Sequence, residues 1–247
     1  MTQLPQPFGS AGEHQLQQQL GTADRAARFY DRQVRPHLTP EMRDFIGRQA
    51  MVFLATADSH GECDASFRAG PPGFVHVIDE HTLAYPEFRG NGVLASTGNM
   101  TENPHLGMLF VDFTHHHVGL HVNGVARLYR DADLRPAYPA LPADAAPGRS
   151  PQMWVHLTVE EAYIHCSKYI PHLEPAPRPA SNETARPRDS DYFISDGEGS
   201  ASEGATRPTS RPERFPPRTP AGVRAGQDRL AGKVPLATSV SPDQQSR

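Results

Sequence analysis

The residue in this chain that most invites chemistry is Arg68, in the run Ser66-Phe67-Arg68-Ala69-Gly70-Pro71-Pro72-Gly73. A guanidinium is planar, permanently charged and matched to the oxygens of a phosphate. Glycine lets the backbone close on a ligand, and proline fixes its course. A second arginine, Arg89, opens the loop Arg89-Gly90-Asn91-Gly92, ahead of a segment read as a helix from about Val93 to Glu102. The first N–H groups of a helix lack intrahelical partners and favour anions. One arginine on a strand and one in a helix-leading loop can hold a phosphate from two sides. The same residues also read as a strand ending in a proline-rich turn and a plain strand–loop–helix joint. The residues alone leave both readings open.

Two further groups have suggestive residue types. In His165-Cys166-Ser167-Lys168, neighbouring side chains point apart, which is poor geometry for a metal pair or a Cys–His catalytic pair. Lys168, one of two lysines with Lys233, can set a positive charge beside an anion. The alternative is a solvated turn with a buried Cys166. His115-His116-His117 looks like a metal cluster, but consecutive residues at a hairpin tip splay apart with no acid or thiol at ligand spacing. No metal site is expected. Neither a nucleophile elbow, a Walker loop, a dinucleotide fingerprint nor paired CxxC motifs occur. The sequence names no catalytic side chain.

These groups must be held by a body whose composition is apolar-poor: 37% hydrophobic residues, 21% charged, 25 prolines and 20 glycines in 247 residues. Part of the chain is therefore expected to be unfolded. A net charge of −4 argues against nucleic acid as a partner. Two cysteines make no disulfide framework, and no run approaches the roughly 20 apolar residues that cross a bilayer. The N-terminus shows neither a basic start nor an apolar signal core. A cytoplasmic protein without membrane attachment is expected.

Residues 1–12 read as a flexible arm. Residues 13–49 read as short helices packed on the main body, with Thr22 capping the second and Thr39-Pro40-Glu41 opening the third above a Met42, Phe45, Ile46 stripe. Residues 50–170 form the main domain. Met51–Ala57 reads as a strand buried on both faces, returned by Asp58-Ser59-His60-Gly61. Strands at 62–67, 74–78 and 82–85 follow, and tight turns suggest an antiparallel meander. After the helix stopped by Asn103-Pro104 come strands at 105–113 and 118–129, a proline-rich connection over 130–151, and a last strand over 153–164. Residues 171–247 mix Pro, Arg, Ser, Gly and Asp without any period, and read as a disordered tail.

The segments "FLATAD" (53–58), "SFRAGPPGFV" (66–75), "RGNGVLASTGN" (89–99), "ENPHLGMLFVDF" (102–113) and "LHVNGVARL" (120–128), closed by "EEAYIHCSKYI" (160–170), stand in a telling order. This run resembles the pyridoxamine 5′-phosphate oxidase-like, FMN-binding split-barrel family, in its flavin-nucleotide-binding branch. The resemblance implies a mainly β fold with flanking helices, an antiparallel split β-barrel. It implies FMN phosphate contacts from Arg68, Arg89, Asn91 and Gly92. The backbone of Ala69 and Gly70 would run along the isoalloxazine, with Tyr85 and Pro86 beside it. It further implies a homodimer with flavin at the subunit interface, to which the second subunit brings His165 or Lys168. An oxidoreductase acting on a small-molecule substrate or electron donor is expected, or a non-catalytic module for flavin, deazaflavin or haem. The loop carries Asn91-Gly92 where the oxidase has an Arg-Lys pair, and no pyridoxal phosphate residues follow, so vitamin B6 oxidation is not expected.

Overall fold

Alternation decides how the first strand sits. Along β1 (Met51–Ala57), Val52, Leu54 and Thr56 are buried while Phe53 is 41% exposed, the period-2 pattern of a strand covered on one side. The reading of this strand as buried on both faces is corrected accordingly: its outer face is open, and Phe53 there packs on Phe67 with ring centroids 5.4 Å apart. This is a computed structural model describing residues 8–142 and 150–176, all within the unit Met1–Pro177. The other strands are β2 (Cys63–Ala69), β3 (His76–Asp79), β4 (Thr82–Glu87), β5 (His105–Val111), β6 (Gly119–Tyr129) and β7 (Met153–His165).

All seven join one sheet in the order β2-β1-β5-β6-β7-β4-β3, every pairing antiparallel. The expected fold class, a mainly β split barrel with flanking helices, is what the chain adopts. The expected meander is not. β1–β2 and β3–β4 are hairpins, yet β2 and β3 stand at opposite edges, because β1 takes β5 as its other neighbour and β4 takes β7. Local turn signals reveal hairpins but not which long-range partner each strand finds. The core inside the curved sheet includes Phe110, Leu83, Leu106 and Leu157, each at most 1% exposed.

Five helices flank the sheet among the described residues: α1 (Ala11–Gln19), α2 (Ala23–Gln33), α3 (Pro40–Gly47), α4 (Ala95–Glu102) and α5 (Asp131–Leu134). α1 starts where Ser10 Oγ accepts the Glu13 N–H at 3.2 Å. Thr22 precedes α2 but makes no side-chain capping bond, contrary to expectation: its backbone is already near-helical rather than extended. Thr39 does cap α3, accepting from the Met42 amide, and Phe45 and Ile46 are buried. The connection after β6 is not wholly irregular. It contains α5, whose Asp131 accepts from Arg135 at 2.6 Å and from the Trp154 indole at 2.8 Å. Residues 1–7 of the expected arm, 143–149, and the expected disordered tail from 177 onward lie outside the described residues. No helix among the described residues is long and apolar enough to cross a membrane.

Candidate functional site

Side chains on β2 alternate, so Asp64, Ser66 and Arg68 share one face, in register with buried Thr56, Leu54 and Val52 of β1. This polar face looks onto α4 and the end of β4. Between them lies a cleft of about 460 Å³, bounded by Ser66–Ala69, Pro86-Glu87, the loop 88–94 and the first turn of α4. The helix is fastened there by Asn99, which donates to Thr56 Oγ1 at 3.1 Å, and by Glu102, which accepts from Ser59 Oγ at 2.8 Å.

Hydrogen-bond donors crowd the cleft. Arg68 donates from Nε to Glu87 Oε1 at 2.8 Å and from Nη1 to its neighbouring carbonyl at 3.1 Å. Ser66 and Ser96 both donate to Asp64 Oδ2, at 2.7 and 2.9 Å, and their hydroxyls lie 2.5 Å apart. Those two hydroxyls, Ser66 first, hold Asp64 below the ordinary carboxylate range against desolvation, with help from Arg68. The amides of Ala95, Ser96 and Thr97 meet no acceptor among the described residues, and Leu94 offers α4 no side-chain cap. Leu94 has φ +57°, a left-handed conformation that costs a side-chain-bearing residue energy. Gly92 turns the loop at φ +85°, where glycine is at ease.

Glu87 is the counterweight. Its side chain is only 13% exposed, and burial pushes its carboxyl up despite the nearby Arg68. Tyr85, one turn of the pleat earlier, is 0% exposed. Its hydroxyl has no hydrogen-bond partner among the described residues, and burial, then Glu87, raises it while Arg68 opposes.

Of the residues singled out in the sequence, the cleft gathers Arg68, Ala69, Pro86, Arg89, Asn91 and Gly92. Asn91 spends its Oδ1 on the Val93 amide at 3.0 Å, so its side chain serves the loop. Gly70 faces elsewhere: a Cβ there would lie 2.6 Å from Phe74 Cβ, so packing already demands glycine. Tyr85 belongs to the core rather than to the cleft lining. His165 and Lys168 lie apart from the cleft, for β7 meets Glu87 at Met153 and carries His165 at its other end. There His165 Nδ1 pairs with His121 Nε2 at 2.9 Å, and Lys168 Nζ sits 5.1 Å from the Tyr169 ring centroid. Cys166 is exposed, not buried as one reading had it. The sequence reading missed Asp64, Ser66, Glu87, Ser96 and Thr97. The available signal was the D-x-S-x-R alternation on β2, which places three polar groups on one face.

The three histidines form a turn organised by Asp112. Its carboxylate accepts from the amides of Thr114, His115 and His116 at 3.0, 2.9 and 3.0 Å, and from Thr114 Oγ1 at 3.2 Å. Among the described residues no group of three His, Cys, Asp or Glu could hold a metal ion.

These features define a split barrel with a donor-lined cleft between β2, the end of β4 and α4. The chain belongs to the pyridoxamine 5′-phosphate oxidase family, whose model matches residues 38–166, more than half of its length. No curated protein matches. Among solved structures it is similar to HupZ of Group A Streptococcus, at 21% identity over 51% of this chain and 92% of that one, with a TM-score of 0.38. It is also similar to HutZ, the heme storage protein of Vibrio cholerae, at 15% identity over 51% and 94%, with a TM-score of 0.34. An F420 reductase matches at 18% identity over 50% and 94%, with a TM-score of 0.31.

Proposed function

We propose that this chain is an FMN-binding flavoprotein and an oxidoreductase, and that the cleft beside Arg68 receives the flavin phosphate. The observation that carries the reading is the donor set: a guanidinium and three unpartnered helix-start amides converge on one cleft in a member of this family. That set suits a phosphate monoester. Arg68 and the first turn of α4 would hold the phosphate. Ala69, Gly70, Tyr85, Pro86, Arg89, Asn91 and Gly92 belong to the same proposed site, directly or by shaping its walls. The chemistry FMN supplies when bound is hydride or electron transfer, and the protein's share is anchoring, orientation and access for a small-molecule substrate or electron donor.

The proposal extends to a cytoplasmic homodimer. The open outer face of β1–β2 carries Phe53 and Phe67, 41% and 51% exposed and in contact, as an apolar face awaiting cover. A second subunit seated there could bring His165 or Lys168 toward the flavin.

The test is equilibrium titration of the full chain with FMN and with riboflavin. Arg68→Ala should weaken FMN binding by about 1.5–3 kcal/mol, ten- to a hundredfold, and leave riboflavin binding nearly unchanged. Equal FMN affinities would remove Arg68 from the site. A second reading, binding without turnover, draws on the commitment of both nearby carboxylates, Glu87 in the cleft to arginine and Asp64 behind it to serines. On that reading flavin, deazaflavin or haem is held rather than used. Reduction of the bound cofactor by NADH or NADPH, followed by reoxidation, decides against it.

A further inference from the structure

We propose that Glu87 is a built-in competitor for the phosphate: it occupies Arg68 in the empty cleft, and a phosphate-bearing ligand binds by displacing it. This rests on the reading of the cleft as a phosphate site.

The geometry makes the conflict explicit. Arg68 has one hydrogen bond to a carboxylate, from Nε to Glu87 Oε1 at 2.8 Å, and another from Nη1 to the Phe67 carbonyl. A phosphate aligned on Nε and one terminal nitrogen needs the edge that Glu87 now takes. The fixed charges around the cleft nearly cancel. Arg68 and Arg89 stand against Glu87 in the lining and Asp64 behind Ser66 and Ser96, and the helix-start amides tip the balance toward an anion. A phosphate dianion entering beside an ionised Glu87 would meet like charge in a partly dehydrated site. Glu87 has little else to hold it in place: its strand neighbour across the ladder is uncharged Met153, and the Tyr85 hydroxyl nearby donates to nothing among the described residues. That unused hydroxyl is a natural donor to the displaced carboxylate. In its new position Glu87 would accept from Tyr85, relieving both an orphaned donor and a crowded anion.

A merely supporting Glu87, one that aims Arg68 at the phosphate, predicts the opposite sign when its charge is removed. The experiment compares wild type, Glu87→Gln, Arg68→Ala and the double variant as full chains at pH 8, titrated with FMN and with riboflavin. Glu87→Gln should bind FMN about tenfold more tightly, with riboflavin unchanged. The gain should vanish when Arg68 is also replaced, because the two effects act through one contact. FMN affinity equal to or below wild type in Glu87→Gln overturns the proposal, as does a gain that persists without Arg68. Should Glu87→Gln fail to fold, Glu87→Asp, which withdraws the carboxylate from Arg68, should show the same sign. If no flavin binds to any variant, the flavin reading fails while the exchange stays testable with inorganic phosphate by calorimetry. Tighter phosphate binding by Glu87→Gln supports the exchange, and equal or undetectable binding overturns it.

Discussion

Glu87 in the cleft and Asp112 at the β5–β6 turn are almost equally withdrawn from water, with side-chain exposures of 13% and 10%. Their carboxyls nevertheless shift in opposite directions. Burial acts on both and raises both. At Asp112 it is overcome by three backbone amides and a threonine hydroxyl, which hold the group well below the ordinary carboxylate range. Glu87 has one guanidinium, shared with a carbonyl, and burial wins. What separates the closed turn from the cleft is therefore donor supply, not depth. The turn has its donors satisfied by its own acid. In the cleft, amides at the start of α4 are left over.

The comparison breaks first at Asp112. Replacing it with alanine orphans four donors at once and should cost about 3 kcal/mol of stability, read from the denaturant midpoint. A loss below about 0.5 kcal/mol would mean that water serves these donors equally well, and the contrast with the cleft would collapse. Opposite pH behaviour sharpens it. Asp112 has a depressed folded pKa, so its stabilisation is complete above the unfolded value near 4 and fades as pH falls below it. Glu87 has a raised one, so its contribution is fully present below the unfolded value and lost as pH rises through the folded value. Asp112→Asn should accordingly lower the melting temperature at pH 7, and the gap to wild type should begin to narrow only below about pH 4 and still be open at pH 3, because the folded carboxyl titrates well below the unfolded one. Glu87→Gln should raise the melting temperature above that of wild type by more at pH 7 than at pH 4. Parallel pH profiles for the two variants would refute the opposite shifts. The smallest effect belongs to the cleft rim: Leu94 is 46% exposed and left-handed, so Leu94→Asn should gain about 0.5–1 kcal/mol. An unchanged unfolding free energy would show that no strain is stored there.

Local chemistry was legible in the sequence where it depends on neighbours along the chain. Thr39-Pro40-Glu41 opens a helix because cap, proline and acid act within one turn, and Asn103 with Pro104 ends α4 for a similar reason. Arg68 and the 89–92 loop could be paired in advance because each carries its own signal, and the structure brings them to one cleft. Glu87 could not be found that way. Its significance comes from meeting Arg68 of β2 although β4 stands toward the opposite end of the sheet order, and that depends on β4 choosing β7. Thr22 shows the same limit at smaller scale: the right residue type stands at the helix start, in a backbone conformation that denies it the cap.

The strand order also constrains how this molecule comes into being. As the chain lengthens, β1–β2 and β3–β4 can close early as hairpins, each from contacts only a few residues apart. Leu83, however, meets Leu157, and nothing nearer in the chain supplies the other side of β4. Until β7 has been made, β4 carries an unsatisfied edge beside buried-type side chains, a state prone to pairing with other copies. Barrel closure is thus a late, long-range event, and such topologies fold slowly compared with helical ones. Arg68 of β2 and Glu87 of β4 can be held together from opposite ends of the sheet order only once that closure is complete, so the cleft is among the last things the chain builds.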